Sequence, residues 1–115
     1  MKVDLTAALA GVTGHWRPER VAGYNGNDVM VVKVKGEFPF HLHEDSDDFF
    51  LILKGEVLMD IEGAPTETLR AGDLFVVPKG VTHRPRAPQE AEILLIEPAG
   101  LVDTNEAERR EIGAR

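Results

Sequence analysis

The sequence predicts an all-β fold, a small barrel or double-sheet jelly roll, and three observations carry that prediction. Short apolar runs of strand length recur along the chain with turn residues between them, giving roughly eight to ten strand candidates. The 11 glycines and 7 prolines are spread as punctuation between those runs, which is the pattern of turns and not of disorder. Asn25-Gly26 separates two extended segments, and a type I′ turn needs positive φ at both central positions, so the pair predicts a hairpin. At 115 residues the chain is expected to form a single domain with one core, spanning residues 1–115.

Taken in order, Leu5, Ala8, Leu9 and Val12 recur at helical spacing, which predicts a short helical segment over Asp4 to Val12, ended by Gly11 and Gly14. A strand from Arg20 to Tyr24 pairs across Asn25-Gly26 with Val29 to Lys35, and Gly36 breaks it. Phe38 to His43 is the next strand, with Pro39 marking an edge or irregular position. Phe49 to Leu53 is a continuous apolar run, and Val57, Met59 and Ile61 alternate with Glu56, Leu58, Asp60 and Glu62 in a half-buried strand. Thr66 to Arg70, a buried Leu74 to Val77, Val81 to Arg86 and Ala91 to Glu97 complete the series. The polar tail from Val102 to Arg115 reads as a solvated helix or a frayed end.

Charge and composition exclude several function classes. A formal net charge of -7 and a pI near 5.0 leave no basic stripe for phosphates, so nucleic acid is not an expected partner. Without cysteine there is no disulfide, thiolate metal site or Cys nucleophile, and any metal must rest on N and O ligands. The start Met-Lys-Val-Asp-Leu has no long apolar stretch and no run reaches bilayer length, so no membrane association is expected and the protein reads as soluble and cytoplasmic.

The chemistry concentrates between Gly36 and His83. Side chains two apart on an extended segment share a face, so His41 and His43 project together. Glu44, Asp45, Asp47 and Asp48 follow them, and His83 returns forty residues after His43 behind a Gly- and Pro-marked turn. Three imidazoles with a carboxylate point to a divalent transition-metal site, and Fe, Mn, Ni, Co and Zn all accept such ligands. Phe38, Phe40 and Leu42 then face the opposite way and need a cover, which predicts a homodimer with this strand near the interface. Arg84 and Arg86 alternate with His83 and are expected to face away from it, in a solvated or interface role. His15 and Trp16 read as packing or rim residues, and Glu44, Asp45 and Asp47 as a solvated acidic loop.

Gly36, His41-x-His43, four residues, Asp48, six residues and Gly55 resemble the first cupin motif; Gly72, five residues, Pro78-x-Gly80, two residues and His83 resemble the second. The resemblance covers 36–55 and 72–83 and implies a cupin barrel, a double-stranded β-helix, with His41, His43 and His83 as metal ligands and Asp48 at the carboxylate position. The gap from Gly36 to His41 is one residue short, and Asp stands where the family usually has Glu, giving up roughly 1.5 Å of reach. More narrowly, the chain looks like the small single-domain cupins often labelled phosphomannose-isomerase-like. That activity does not carry over, because those isomerases are much longer and no sugar-phosphate site is recognisable here. The implied function is that of a metal-dependent enzyme, a dioxygenase or isomerase on a small molecule; the alternative is a non-catalytic module that binds a small ligand. No helix-turn-helix accompanies the barrel, which argues against a stand-alone transcription factor.

Overall fold

A computed structural model of the chain describes residues 1–99, so the tail from Val102 lies outside the described residues. The helix α1 spans Leu5–Ala10, and Asp4 caps it by accepting a hydrogen bond from the Ala7 amide at 3.2 Å. Six residues cannot hold a helix alone, and α1 persists because Leu9 packs with Val12 against Val31 on the sheet. The strands are β1 (Glu19–Tyr24), β2 (Asn27–Glu37), β3 (Asp48–Lys54), β4 (Glu56–Ile61), β5 (Glu67–Arg70), β6 (Leu74–Val77) and β7 (His83–Pro98). All pairings are antiparallel, in the order β1-β2-β7-β3-β6, with β4 joining β5 to β7. The architecture is the all-β one that the turn-punctuated pattern predicts. No helix among the described residues is long and apolar enough to cross a membrane.

The hairpin at Asn25-Gly26 forms as read, with φ of 48° and 77° and Tyr24 opposite Asn27. Four other expectations are corrected by long-range pairing. Gly36 does not end its strand: at φ 85° it sits where the register with β7 shifts, and β2 bends there and continues to Glu37. Val81 to Arg86 and Ala91 to Glu97 are not separate strands, because the extra residues between Ala87 and Ala91 bulge opposite Val34 and Gly36 while both halves keep pairing with β2. That fusion, together with the absence of a regular strand at 38–43, is why the described residues hold seven strands and not eight to ten. Leu74 to Val77 is not buried throughout: β6 is a sheet edge, and Leu74 and Val76 remain 55% and 43% exposed. Phe38 to His43 is extended but carries only one bridge, His41 to His83.

The core lies between the β2-β7-β3 layer and the β4-β5 layer. Val32, Val34, Ile52, Val57, Met59, Leu69, Val77 and Ile93 are buried there, each contributing about 1.5–3 kcal/mol for the larger side chains. Gly55, at φ 85°, turns β3 into β4 where a Cβ would lie 3.0 Å from the Glu90 carbonyl oxygen, so the turn admits only glycine without a shift. On the β4-β7 layer Arg84 and Arg86 are not merely solvated. Their Nε groups donate to Asp60 Oδ2 at 3.0 and 2.8 Å while Thr66 donates to Oδ1, which satisfies a carboxylate that is almost buried.

Candidate metal centre

Three chain segments meet at one site, the 41–43 stretch, the start of β3 and the start of β7. Reciprocal backbone bonds, His41 N–H to His83 O at 3.0 Å and His83 N–H to His41 O at 2.9 Å, lock the two histidines side by side. The Gly80 amide donates to the His43 carbonyl at 2.7 Å, which ties the turn before β7 to the second histidine. Asp48 opens β3 opposite Val77, and Asp47 beside it accepts the Lys79 amide at 2.9 Å. Asp47 is therefore a clamp on the Pro78-Gly80 turn and not a free member of an acidic loop. No local signal could reveal this, since its partner lies 32 residues on.

Beside that clamp, Asp48 stands close to all three histidines despite its short side chain. Asp48 Oδ2 lies 2.6 Å from His83 Nε2, 3.1 Å from His43 Nε2 and 3.8 Å from His41 Nε2. One ligand atom from each of the four residues falls within 4.8 Å of the others, a grouping able to hold a metal ion. Donors at about 2.0–2.2 Å from one ion would themselves stand up to about 4.4 Å apart, so the cluster needs little adjustment.

Proton accounting tests the fit. His41 Nδ1 lies 2.9 Å from the Pro39 carbonyl and His83 Nδ1 2.8 Å from the Val81 carbonyl. A carbonyl oxygen only accepts, so both Nδ1 atoms carry the proton, and in the neutral rings each Nε2 is a bare lone pair turned inward. His83 Nε2 and Asp48 Oδ2 are then two acceptors 2.6 Å apart, an arrangement that requires a proton or a cation between them. Burial pushes the Asp48 carboxyl up, but hydrogen bonds from His41, His43 and His83, which a proton on each Nε2 must supply when no ion is bound, outweigh it and hold it far below the usual carboxylate range. The ionised carboxylate and three imidazoles, two of them with tautomers fixed by backbone carbonyls, fit a divalent ion.

Above the cluster opens a cavity to which His41, His43 and Asp48 contribute, while His83, 1% exposed, supports them from behind. Its remaining walls are Trp16, Pro18, Val32, Val34, Phe38, Phe49, Phe50, Pro85, Ile93, Leu95 and Ile96, with Glu97 as a further polar group. Phe38 was expected to face away from the histidines; instead it is buried, its ring edge-on to His41 with centroids 5.0 Å apart, because no regular strand alternation governs this segment. Phe40 and Leu42 do stay exposed. Trp16, read as a packing or rim residue, does pack in the core and line the cavity; it stands there at positive φ.

Residues 28–97 match the Cupin_2 family, described as a cupin domain. The chain belongs to the cupin family. A cupin-2 domain protein from Shewanella frigidimarina is similar in structure, with 35% identity and a TM-score of 0.81 over 84% of this chain and 93% of its own. In sequence, this cupin is 37% identical over 67 residues to the uncharacterized protein YdbB of Bacillus subtilis, 58% of this chain and 59% of that protein. It is also 37% identical over 90 residues to a 3-hydroxyanthranilate 3,4-dioxygenase of Brucella anthropi, 69% of this chain and 50% of the enzyme. The chain thus spans about half the length of the curated relatives it matches.

Proposed function

We propose that this cupin is a divalent-metal-dependent enzyme of dioxygenase or isomerase type, with His41, His43, His83 and Asp48 as the metal ligands and a small molecule as substrate. The observation that carries the reading is the pair of inward lone pairs at His83 Nε2 and Asp48 Oδ2, 2.6 Å apart at the base of a cavity. Similarity to a named dioxygenase supports the same chemistry. When bound, a divalent ion supplies Lewis acidity and, if it is redox-active, a means of activating O₂. The chain's own residues do the rest: the Pro39 and Val81 carbonyls hold the imidazole tautomers, Asp48 sets the charge of the site, and the apolar walls exclude water.

Purification without added metal, followed by elemental analysis, tests this. A stoichiometric divalent metal is expected, and oxygen uptake with a catecholic or aminophenolic ring separates oxidative chemistry from isomerisation. No metal on isolation and none gained on soaking would sink the site; a stoichiometric metal without turnover of any ring favours the binding-module alternative.

A homodimer is part of the same proposal, but its surface is not the one expected at the 38–43 segment, where Phe38 is buried. Val31, Leu94, Leu51 and Leu74 form one register row across four strands on the face away from the core. The α1 helix covers the Val31 end, while Leu74 and its neighbour Val76 are exposed at the other. Light scattering should give a dimer that Leu74→Glu with Val76→Glu converts to monomer. A native chain that is monomeric at micromolar concentration would refute it.

A further inference from the structure

We propose that Asp47, outside the ligand set, is a positioning residue for the metal centre: by holding the 78–81 turn it sets the His83 ring against Asp48. The metal rests on the reading above; the position of the ring does not.

The Val81 amide donates to the Pro78 carbonyl at 3.2 Å and Gly80 stands at φ 83°, which together make residues 78–81 a type II turn with Lys79 at its second position. Both middle amides of the turn are spent on the histidine loop. Gly80 N–H donates to the His43 carbonyl at 2.7 Å, and Lys79 N–H donates to Asp47 Oδ1 at 2.9 Å. The first bond is backbone to backbone; the second depends on the Asp47 side chain.

What the turn carries is the acceptor for His83. Val81, its last residue, donates into the turn through its amide and offers its carbonyl to His83 Nδ1 at 2.8 Å. The His83 main chain is fixed separately, by the reciprocal bonds with His41 and by the Glu62 amide on the Thr82 carbonyl at 3.0 Å. Strand pairing therefore places the His83 backbone, while the turn decides where the bond at Nδ1 aims Nε2. Nε2 stands 2.6 Å from Asp48 Oδ2, so a rotation of the ring changes that distance directly. Two consecutive carboxylates thus divide the work: Asp48 joins the cluster, and Asp47 holds the turn that presents the ligand opposite it. Asp47 and the 78–80 stretch are all exposed. A hydrogen bond there adds little to global stability, so its loss should leave the barrel folded and be felt at the site.

Titration of the full chain with Co²⁺ tests this, read by calorimetric affinity and by the visible spectrum at saturation, which reports coordination geometry in the folded site. Asp47→Ala should weaken Co²⁺ binding about tenfold and shift the bands. Asp47→Asn keeps an oxygen acceptor in the same shape and should leave both readouts native. Lys79→Pro removes the amide donor from the other end, at a turn position that accepts proline. It should reproduce Asp47→Ala without adding to it in the double variant, and it carries the test if Asp47→Ala fails to fold. Lys79→Ala keeps the amide and should behave as native. Native affinity and spectrum in folded Asp47→Ala, a loss in Asp47→Asn equal to that in Asp47→Ala, or additive losses in the double variant would overturn the inference. If the native chain takes up no Co²⁺, the metal reading falls, and the positioning is read without metal from the nitrogen resonance of His83 Nδ1. Asp47→Ala should shift that resonance and Asp47→Asn should not; a resonance unmoved by Asp47→Ala overturns the inference as well.

Discussion

Asp48→Asn is expected to lower divalent-metal affinity by more than the roughly 10–100-fold that loss of an outer partner of a metal ligand costs. Asp48 is the one anionic member of the cluster, and its Oδ2 is the atom on which the three Nε2 groups converge. An amide of the same shape removes the charge, so the divalent ion must be held by neutral donors in a largely dry site. The fold should survive, because Asp48 pairs with Val77 through the backbone and its neighbour Asp47 keeps the clamp on Lys79. Asp48→Glu gives the sharper contrast. If a short side chain limited binding, the added methylene would tighten it. With Oδ2 already 2.6 Å from His83, the extra length of about 1.5 Å has nowhere to go, and affinity should stay level or fall. Calorimetric titration of Mn²⁺ or Zn²⁺ into both folded variants decides this; tighter binding by Asp48→Glu would show that reach does limit the site.

The second large effect is expected on acidification: release of metal as pH falls through about 6 and below, without unfolding. Ligation requires neutral imidazole, and a free imidazole titrates near 6.5, so up to three protons compete with the metal and affinity can fall by up to about 10³ per pH unit. Asp48 does not join this competition until much lower pH. Its carboxyl is held far below the ordinary range by the facing imidazoles despite burial. A group with a lowered folded pKa contributes stability that is complete above its unfolded value of about 3.9 and is lost only as pH falls through the folded value. An ionised Asp48 can thus pair with imidazoles that take up protons in place of the ion. Dialysis at pH 4.5 with chelator, followed by elemental analysis and circular dichroism, should show metal gone and β structure intact. Full retention of metal, or release that coincides with unfolding, would contradict it.

Much of this was readable from short-range pattern. The i, i+2 histidine pair, the glycines and proline ahead of His83 and the Asn25-Gly26 turn are local signals, and the resemblance to the first cupin motif, spaced back from Gly55, points to Asp48 among four neighbouring acids. Those signals also sufficed for the all-β class, since period-two alternation and positive-φ turns act within a few residues. Pattern failed where a segment answers to a distant partner. The proline-containing stretch after His83 looked like two strands because nothing within it reveals that β2 runs alongside both halves. Phe38 was assigned to the wrong side because alternation holds only in a regular strand, and the 38–43 segment touches β7 at a single bridge.

The sequence alone therefore predicted the class of fold, because turn chemistry and side-chain periodicity are written locally, while the resemblance to the cupin motifs named the four residues worth testing. Three things needed the folded chain: the depth of Asp48 in the cluster, the lone pairs that Pro39 and Val81 turn inward, and the indole wall of Trp16. Each depends on backbone groups that have no side-chain signature, brought together by pairing between segments far apart in the chain.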